Sequence, residues 1–176
     1  MDASSILALA SACAPLVDAS IAHAIVAVES SHNPYAIGVV GGALDHQPRD
    51  RAQALATAKA LQQGGWNFSV GLAQINVHNF ARLGLSLQSA FEPCANLAAM
   101  QAVLVDCFDR ANQQSPAPQR SLRQALSCYY SGNFATGFEH GYVQRVVRAA
   151  ASTKSTKPRP SNQSRSAAPS TSKEFL

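Results

Sequence analysis

PLVDASIAHAIVAVES, residues 15–30, is the stretch on which the fold turns. Ile21, Ile25 and Val28 recur at i, i+4 and i+7, the spacing that sets side chains on one face of an α-helix. Ala22, Val26 and Glu29 form a second line beside the first. The segment reads as a helix over 15–30, with Pro15 in its first turn, where a fixed φ and a missing N–H do no harm. Ser30-Ser31-His32-Asn33-Pro34 stops it. Such a helix packs into others, and it brings a carboxylate, Glu29, to its C-terminal end beside core-facing positions. Glutamate is almost never buried without a partner. Two readings follow. Either Glu29 escapes to solvent or takes part in a cap, or it is a cleft acid. In the second case Val26, Val28 and nearby alanines desolvate it and raise its pKa toward the range that general-acid chemistry requires.

Outward from this helix the chain stays mainly helical. Residues 4–13 form a short helix with Ile6, Leu7 and Leu9, interrupted at Cys13-Ala14-Pro15. The apolar run from Ile6 to Val17 follows Asp2 and has no basic n-region, so it reads as a domain helix rather than a signal peptide. Residues 38–49, with Gly38, Gly41, Gly42 and Pro48, are a loop or a short irregular hairpin. Residues 50–63 are a helix capped by Asp50 and stopped by Gly64-Gly65. WNFSVGLAQIN, residues 66–76, is glycine-broken and is assigned no element, and 77–83 holds one or two helical turns. Helices follow over 94–112, 120–130 and 138–150, the last with Tyr142, Val143, Val146 and Val147. The expectation is one mainly α domain over residues 1–150, with an irregular or short β insert.

Charge separates this domain from the rest. Of 176 residues, those from 1 to 150 carry nine basic and nine acidic side chains, whereas 151–176 hold Lys154, Lys157, Arg159, Arg165 and Lys173 against Glu174 alone. The net charge of +4 therefore lies in a Ser/Pro-rich tail. That excludes a basic nucleic-acid-binding domain, which needs its Lys and Arg clustered in the folded part. The tail has too few apolar side chains to offset its ordering entropy and is expected to be disordered. No apolar run reaches the length of a membrane span. Four cysteines show no CxxC pair, and five scattered histidines show no metal-ligand spacing, so no metal or cofactor is expected. His32 is close enough to Glu29 in sequence to influence its pKa.

Two further stretches bear on the choice for Glu29. Gly71-Leu72-Ala73-Gln74-Ile75-Asn76 places two amides two residues apart in a glycine-led segment. They either satisfy local backbone groups or hydrogen-bond neutral sugar hydroxyls and N-acetyl groups as both donor and acceptor. Cys128-Tyr129-Tyr130-Ser131-Gly132-Asn133 ends a helix with adjacent tyrosines, which cannot both face one core, so one belongs at a surface or cleft. Trp66 and Phe68 are either core residues or sugar-stacking faces beside the same cleft.

Taken in order, Cys13-Ala14-Pro15, Glu29-Ser30, Asn33-Pro34-Tyr35-Ala36-Ile37, Gly71 to Asn76, Pro93-Cys94-Ala95-Asn96-Leu97 and Ala125 to Asn133 resemble the lytic transglycosylases of the lysozyme-like superfamily. Within it the closest resemblance is to the VirB1-like group, the peptidoglycan-cleaving component of type IV secretion systems. The resemblance spans about residues 5–148. It implies a lysozyme-like fold and Glu29 as the one catalytic acid/base. Ser30 would orient Glu29 or bind substrate, Gln74 and Asn76 would line the glycan cleft, and Tyr130 would stand opposite Glu29, its phenol bonding the carboxyl or an N-acetyl group. One position departs. The family's Asn-x-Asp-Val-Gly stretch reads Asn67-Phe68-Ser69-Val70-Gly71 here, which puts any role of that aspartate in doubt.

The chemistry implied is cleavage of the β-1,4 bond between N-acetylmuramic acid and N-acetylglucosamine with closure of a 1,6-anhydro ring. It needs no water and no second carboxylate, unlike most glycosidases. Asp45 and Asp50 are the candidates for a second carboxylate, and they keep a hydrolytic muramidase open as the alternative. A non-catalytic peptidoglycan-binding assembly protein and a helical adaptor unrelated to glycans are the others. The resemblance further implies a periplasmic monomer acting on glycan strands beside secretion-system components. Disulfides persist in that compartment. Cys94 and Cys107, about 20 Å apart along one helix, cannot pair. Cys13–Cys94 with Cys107–Cys128 is favoured over the crossed pairing, and four core thiols stay open as the other case. The basic tail is either a passive end or a salt-sensitive tether to anionic surfaces.

Overall fold

The computed structural model describes residues 1–114 and 116–155. Of the tail, only 151–155 fall within that range, and they are helical; the expectation of disorder over the remainder lies outside the described residues. Helix α1 (Ala3–Cys13) is capped by Asp2, whose carboxylate accepts from the Ser5 N–H at 2.8 Å. Helix α2 (Ala19–Ser30) starts four residues later than the apolar spacing predicts. Asp18 accepts from the Ser20 N–H at 2.9 Å, and Pro15 lies in the preceding turn, closed by the Val17 N–H on the Ala14 carbonyl at 3.1 Å. An aspartate N-cap satisfies an orphan donor that a proline at N1 cannot. Ser31 and His32, at φ of 51° and 65°, turn the chain out of α2.

The insert is a three-stranded antiparallel sheet, β1 (Ile37–Val39), β2 (Phe68–Val70) and β3 (Ile75–Asn76), with helix α3 (Arg51–Gln63) between the first two strands. Of the two readings of residues 38–49, the loop holds: only Gly38 and Val39 are strand, and they pair outside the segment. Val39 pairs with Phe68, and the outer edge of β1 is covered by a side chain: the Gln47 amide donates to the Ile37 carbonyl and accepts from the Ile37 N–H, both at 2.9 Å. A 3₁₀ turn (Val77–Asn79), α4 (Phe80–Leu83) and α5 (Leu87–Ala90) lead to the long helix α6 (Pro93–Gln114), followed by α7 (Pro118–Ser131), α8 (Thr136–Glu139) and α9 (Tyr142–Ser155). The predicted helix over 138–150 is thus two helices, broken at Gly141, whose φ is 69°. None of the described helices is long and apolar enough to cross a membrane.

The core gathers Ile6 of α1, Ala22, Ile25 and Val26 of α2, Leu97, Met100 and Leu104 of α6, Leu126 of α7 and Val143 and Val146 of α9. The sheet joins it through Phe68, Val70 and Ile75. Two disulfides, Cys13–Cys94 and Cys107–Cys128, tie α6 to α1 and to α7, the favoured pairing. Closing chain loops of these lengths stabilises by roughly 3–4 kcal/mol each.

One buried amide fastens sheet to helix. Asn96 of α6, 1% exposed, donates to the Val70 and Ala90 carbonyls at 3.0 and 2.8 Å and accepts from the Ala73 N–H at 2.8 Å. Gly71 makes this possible. Its φ is 80°, and a Cβ there would lie 2.3 Å from Asn96 Nδ2. The glycine in the 71–76 stretch and the asparagine in the 93–97 stretch are therefore two halves of one contact.

Candidate active site

Ala22 and Val26 are fully buried, and Glu29 is next on their line. The carboxyl therefore leaves α2 on its inner side and enters a cleft of about 670 Å³. The sheet forms one wall, with Gly38, Val39, Val40, Ser69 and Ile75, and the end of α7 forms the other, with Tyr129 and Tyr130.

Glu29 has one hydrogen-bond partner of special consequence. The Tyr142 hydroxyl, at the first residue of α9, donates to Glu29 Oε1 at 2.6 Å. Burial pushes the Glu29 pKa up from 4.5 to about 7, against the Tyr142 hydrogen bond and the positive charge of Arg145, which both favour the carboxylate. Arg145 is held by the His140 carbonyl at 3.0 Å and stands 5.9 Å from the centre of the Tyr142 ring. Tyr142 is buried and Tyr129 half-buried near the same carboxyl, and desolvation first, then the Glu29 charge, raises both phenol pKa values well above 10. Both phenols stay neutral donors. Tyr129 donates to the Ala73 carbonyl.

The residues expected at the site divide. Gln74, at φ 49°, lines the cleft, and its amide donates to the Ala36 and Gly71 carbonyls, both at 3.0 Å. Its Oε1 would lie 2.8 Å from a Cβ on Gly38, so a side chain there would displace the Gln74 amide. Asn76 also lines the cleft, donating to Asn67 Oδ1 at 2.7 Å and accepting from the His78 N–H at 3.0 Å. Both amides satisfy groups of the protein itself, as the first reading of the 71–76 stretch has it, and both also line the cleft.

Tyr130 lines the cleft as expected, but its phenol does not meet the carboxyl. Its hydroxyl pairs with His140 Nδ1 at 3.2 Å, and its ring stacks on Tyr142 at 4.7 Å. The partner of Glu29 is Tyr142, which apolar periodicity counts as a core residue. The signal in the sequence was that a phenol on a buried helix face needs an acceptor. Ser30 is not on the cleft wall: its hydroxyl donates back to the Val26 carbonyl at 3.1 Å, as serines near helix ends do. His32 faces His23 instead, with ring centres 4.9 Å apart. Phe68 is core.

Glu29 is the sole carboxylate among the described residues that line this cleft. Asp50 caps α3, accepting from the Gln53 N–H at 2.9 Å, and Asp45 is not on the wall. Ser69 occupies the place of the departed aspartate and its hydroxyl accepts from Asn76 Nδ2 at 3.3 Å. The arrangement holds one carboxyl able to give and retake a proton near neutral pH, in a cleft furnished with amides and phenols.

A helical domain with a small antiparallel sheet across a cleft from one such carboxyl is a lysozyme-like domain. Residues 7–150 match the family described as Transglycosylase SLT domain, and the chain belongs to it. It is 48% identical over 150 residues to the "Type IV secretion system protein virB1" of Brucella abortus biovar 1 (strain 9-941), covering 82% of this chain and 63% of that protein. It is 37% identical over 140 residues to the "Protein virB1" of Agrobacterium fabrum (strain C58 / ATCC 33970), covering 78% of this chain and 56% of that protein. The chain thus spans less than two-thirds of the length of these relatives. No solved structure matches it.

Proposed function

We propose that the chain is a peptidoglycan lytic transglycosylase that cleaves the N-acetylmuramic acid–β-1,4–N-acetylglucosamine bond and closes a 1,6-anhydro ring. The observation that carries this reading is a single cleft carboxyl, Glu29, with its pKa raised to about 7 and no second carboxylate on the described wall. Protonated Glu29 donates to the leaving glycosidic oxygen. The substrate's N-acetyl group stabilises the positive anomeric carbon. Glu29, now a carboxylate, takes the proton from the muramic acid C6 hydroxyl as that oxygen bonds C1. Tyr142 steadies the carboxylate between the two steps, and Gln74, Asn76 and Tyr130 contact the glycan. Ser30 is left out of this scheme because its hydroxyl is spent on its own helix.

The chain is further proposed to open the wall locally where a type IV secretion system assembles, a setting supported by the names of its relatives. A periplasmic location is supported by the two disulfides. The test is product chemistry. Purified peptidoglycan incubated with the chain yields 1,6-anhydro-muropeptides, one water lighter by mass spectrometry than hydrolytic products. Reducing-end products in their place would overturn the reading in favour of a muramidase, and no products would favour a binding protein.

A further inference from the structure

Trp66 is the chain's one tryptophan, and it is 52% exposed. It is nonetheless fixed in place. Its backbone N–H donates to the Leu61 carbonyl at 3.0 Å, and its indole lies against two glycines. A Cβ on Gly64 would fall 2.9 Å from the indole Cδ1, and one on Gly42 would fall 3.9 Å from Cζ3. The same point on Gly42 is 3.5 Å from Val39 Cγ1, so the indole and Val39 border one spot. Val39, Val40 and Asn67 line the Glu29 cleft, and the indole therefore adjoins its sheet-side lip. Of the large hydrophobic side chains left exposed among the described residues, Val40 and Tyr130 line this cleft and Trp66 extends it. Exposed aromatic surface held rigid beside a polar cleft fits a ligand that presents both apolar and hydroxylic faces.

We propose that Trp66 is a glycan-stacking platform at the cleft lip, taking the C–H face of a pyranose ring in the strand whose bond lies at Glu29. The proposal rests on the function proposed above and adds the site that holds the strand away from the reacting bond. A pyranose ring has an apolar face of axial C–H groups and an equatorial rim of hydroxyls. The indole takes the first, and the amides of Gln74 and Asn76 along the same sheet-side wall take the second. Rigidity matters: a platform already set against Gly42 and Gly64 loses little freedom when the sugar arrives.

Because no other tryptophan is present, tryptophan emission, excited where the four tyrosines do not absorb, reports this position alone. The full chain carrying Glu29→Gln, which leaves the glycan uncut, is titrated with chitohexaose by fluorescence and by calorimetry. The expected result is a saturable emission change that follows the calorimetric isotherm, with Trp66→Ala in the same background weakening Kd about tenfold. Calorimetric binding with unmoved emission and an unchanged Kd for Trp66→Ala overturns the platform while the proposed function stands. Absence of both binding and any product from the native chain on peptidoglycan overturns both. Should Trp66→Ala fail to fold, the emission titration of the tryptophan-containing chain decides by itself.

Discussion

Tyr142→Phe removes one oxygen and leaves the ring, its place in the core and its stack on Tyr130. What it deletes is the 2.6 Å hydrogen bond to Glu29 Oε1, one of two influences that hold the Glu29 pKa down against burial. A hydrogen bond to a charged group contributes about 1.5–3 kcal/mol. At 1.36 kcal/mol per pH unit, its loss carries the Glu29 pKa up by about one to two units, from about 7 toward the range where Arg145 alone opposes burial. Glu29 must be protonated to start the proposed reaction, so activity falls as pH rises through its pKa. The variant's alkaline limb therefore moves upward. Its maximal rate falls at the same time, because the carboxylate that must retake a proton has lost its steadying donor. The assay is kcat/KM for release of soluble muropeptides from pH 5 to 10, beside a ¹³C titration of the glutamate carboxyls. An alkaline limb that stays in place or moves down, with Tyr142→Phe folded, refutes the assignment of Tyr142 as the group that sets Glu29.

Glu29→Gln should lower activity about a hundredfold or more by removing the transferable proton. It should also raise the melting temperature at pH 8 and leave it nearly unchanged at pH 4. The folded pKa lies above the unfolded one, so the native state loses stability as pH climbs from 4.5 to about 7, by roughly 3 kcal/mol in all, and glutamine does not titrate. Equal melting shifts at both pH values would count against a buried, titrating Glu29. Asn96→Ala leaves the Val70 and Ala90 carbonyls and the Ala73 N–H without their partner; it should cost about 3 kcal/mol or more in thermal unfolding, and activity should fall with it because the 71–76 stretch is loosened. A neutral Asn96→Ala would show that the amide does not fasten that stretch.

The long helices were legible because each carries many apolar positions at helical spacing, and because Asp50 and Gly64 bracket α3 as a cap and a stop. The sheet was not. Its strands are two or three residues long, too short for alternation to register, and β1 finds its partner beyond the whole of α3. The start of α2 was misplaced because Pro15 and Asp18 are both good start signals, and only the Asp18 side chain reaches a backbone donor. At the site, Glu29 could be singled out as a carboxylate on an inward line. Tyr142 could not, because its ring behaves as part of an apolar stripe. The contact that defines its role is made 113 residues away in sequence. Of the two bonds expected of Tyr130, the one to the carboxyl is made by its neighbour in space, Tyr142.

One carboxyl asked to serve as acid and then as base needs a pKa near the working pH, and that value here is a balance rather than a consequence of burial alone. Burial is the sole upward influence on Glu29, with Tyr142 and Arg145 pulling down. An aspartate at position 69, on the same cleft wall, would add a second upward influence, since a neighbouring negative charge disfavours ionisation. Ser69 is neutral and is occupied by Asn76. A neutral residue at position 69 therefore adds nothing to burial as an upward influence on the proposed acid. Both downward influences lie on α9, where Tyr142 and Arg145 are three residues apart on one helix face. A change that shifts α9 against α2 would thus alter the acidity of Glu29 through Tyr142 and Arg145, and the cleft wall through the stack of Tyr130 on Tyr142.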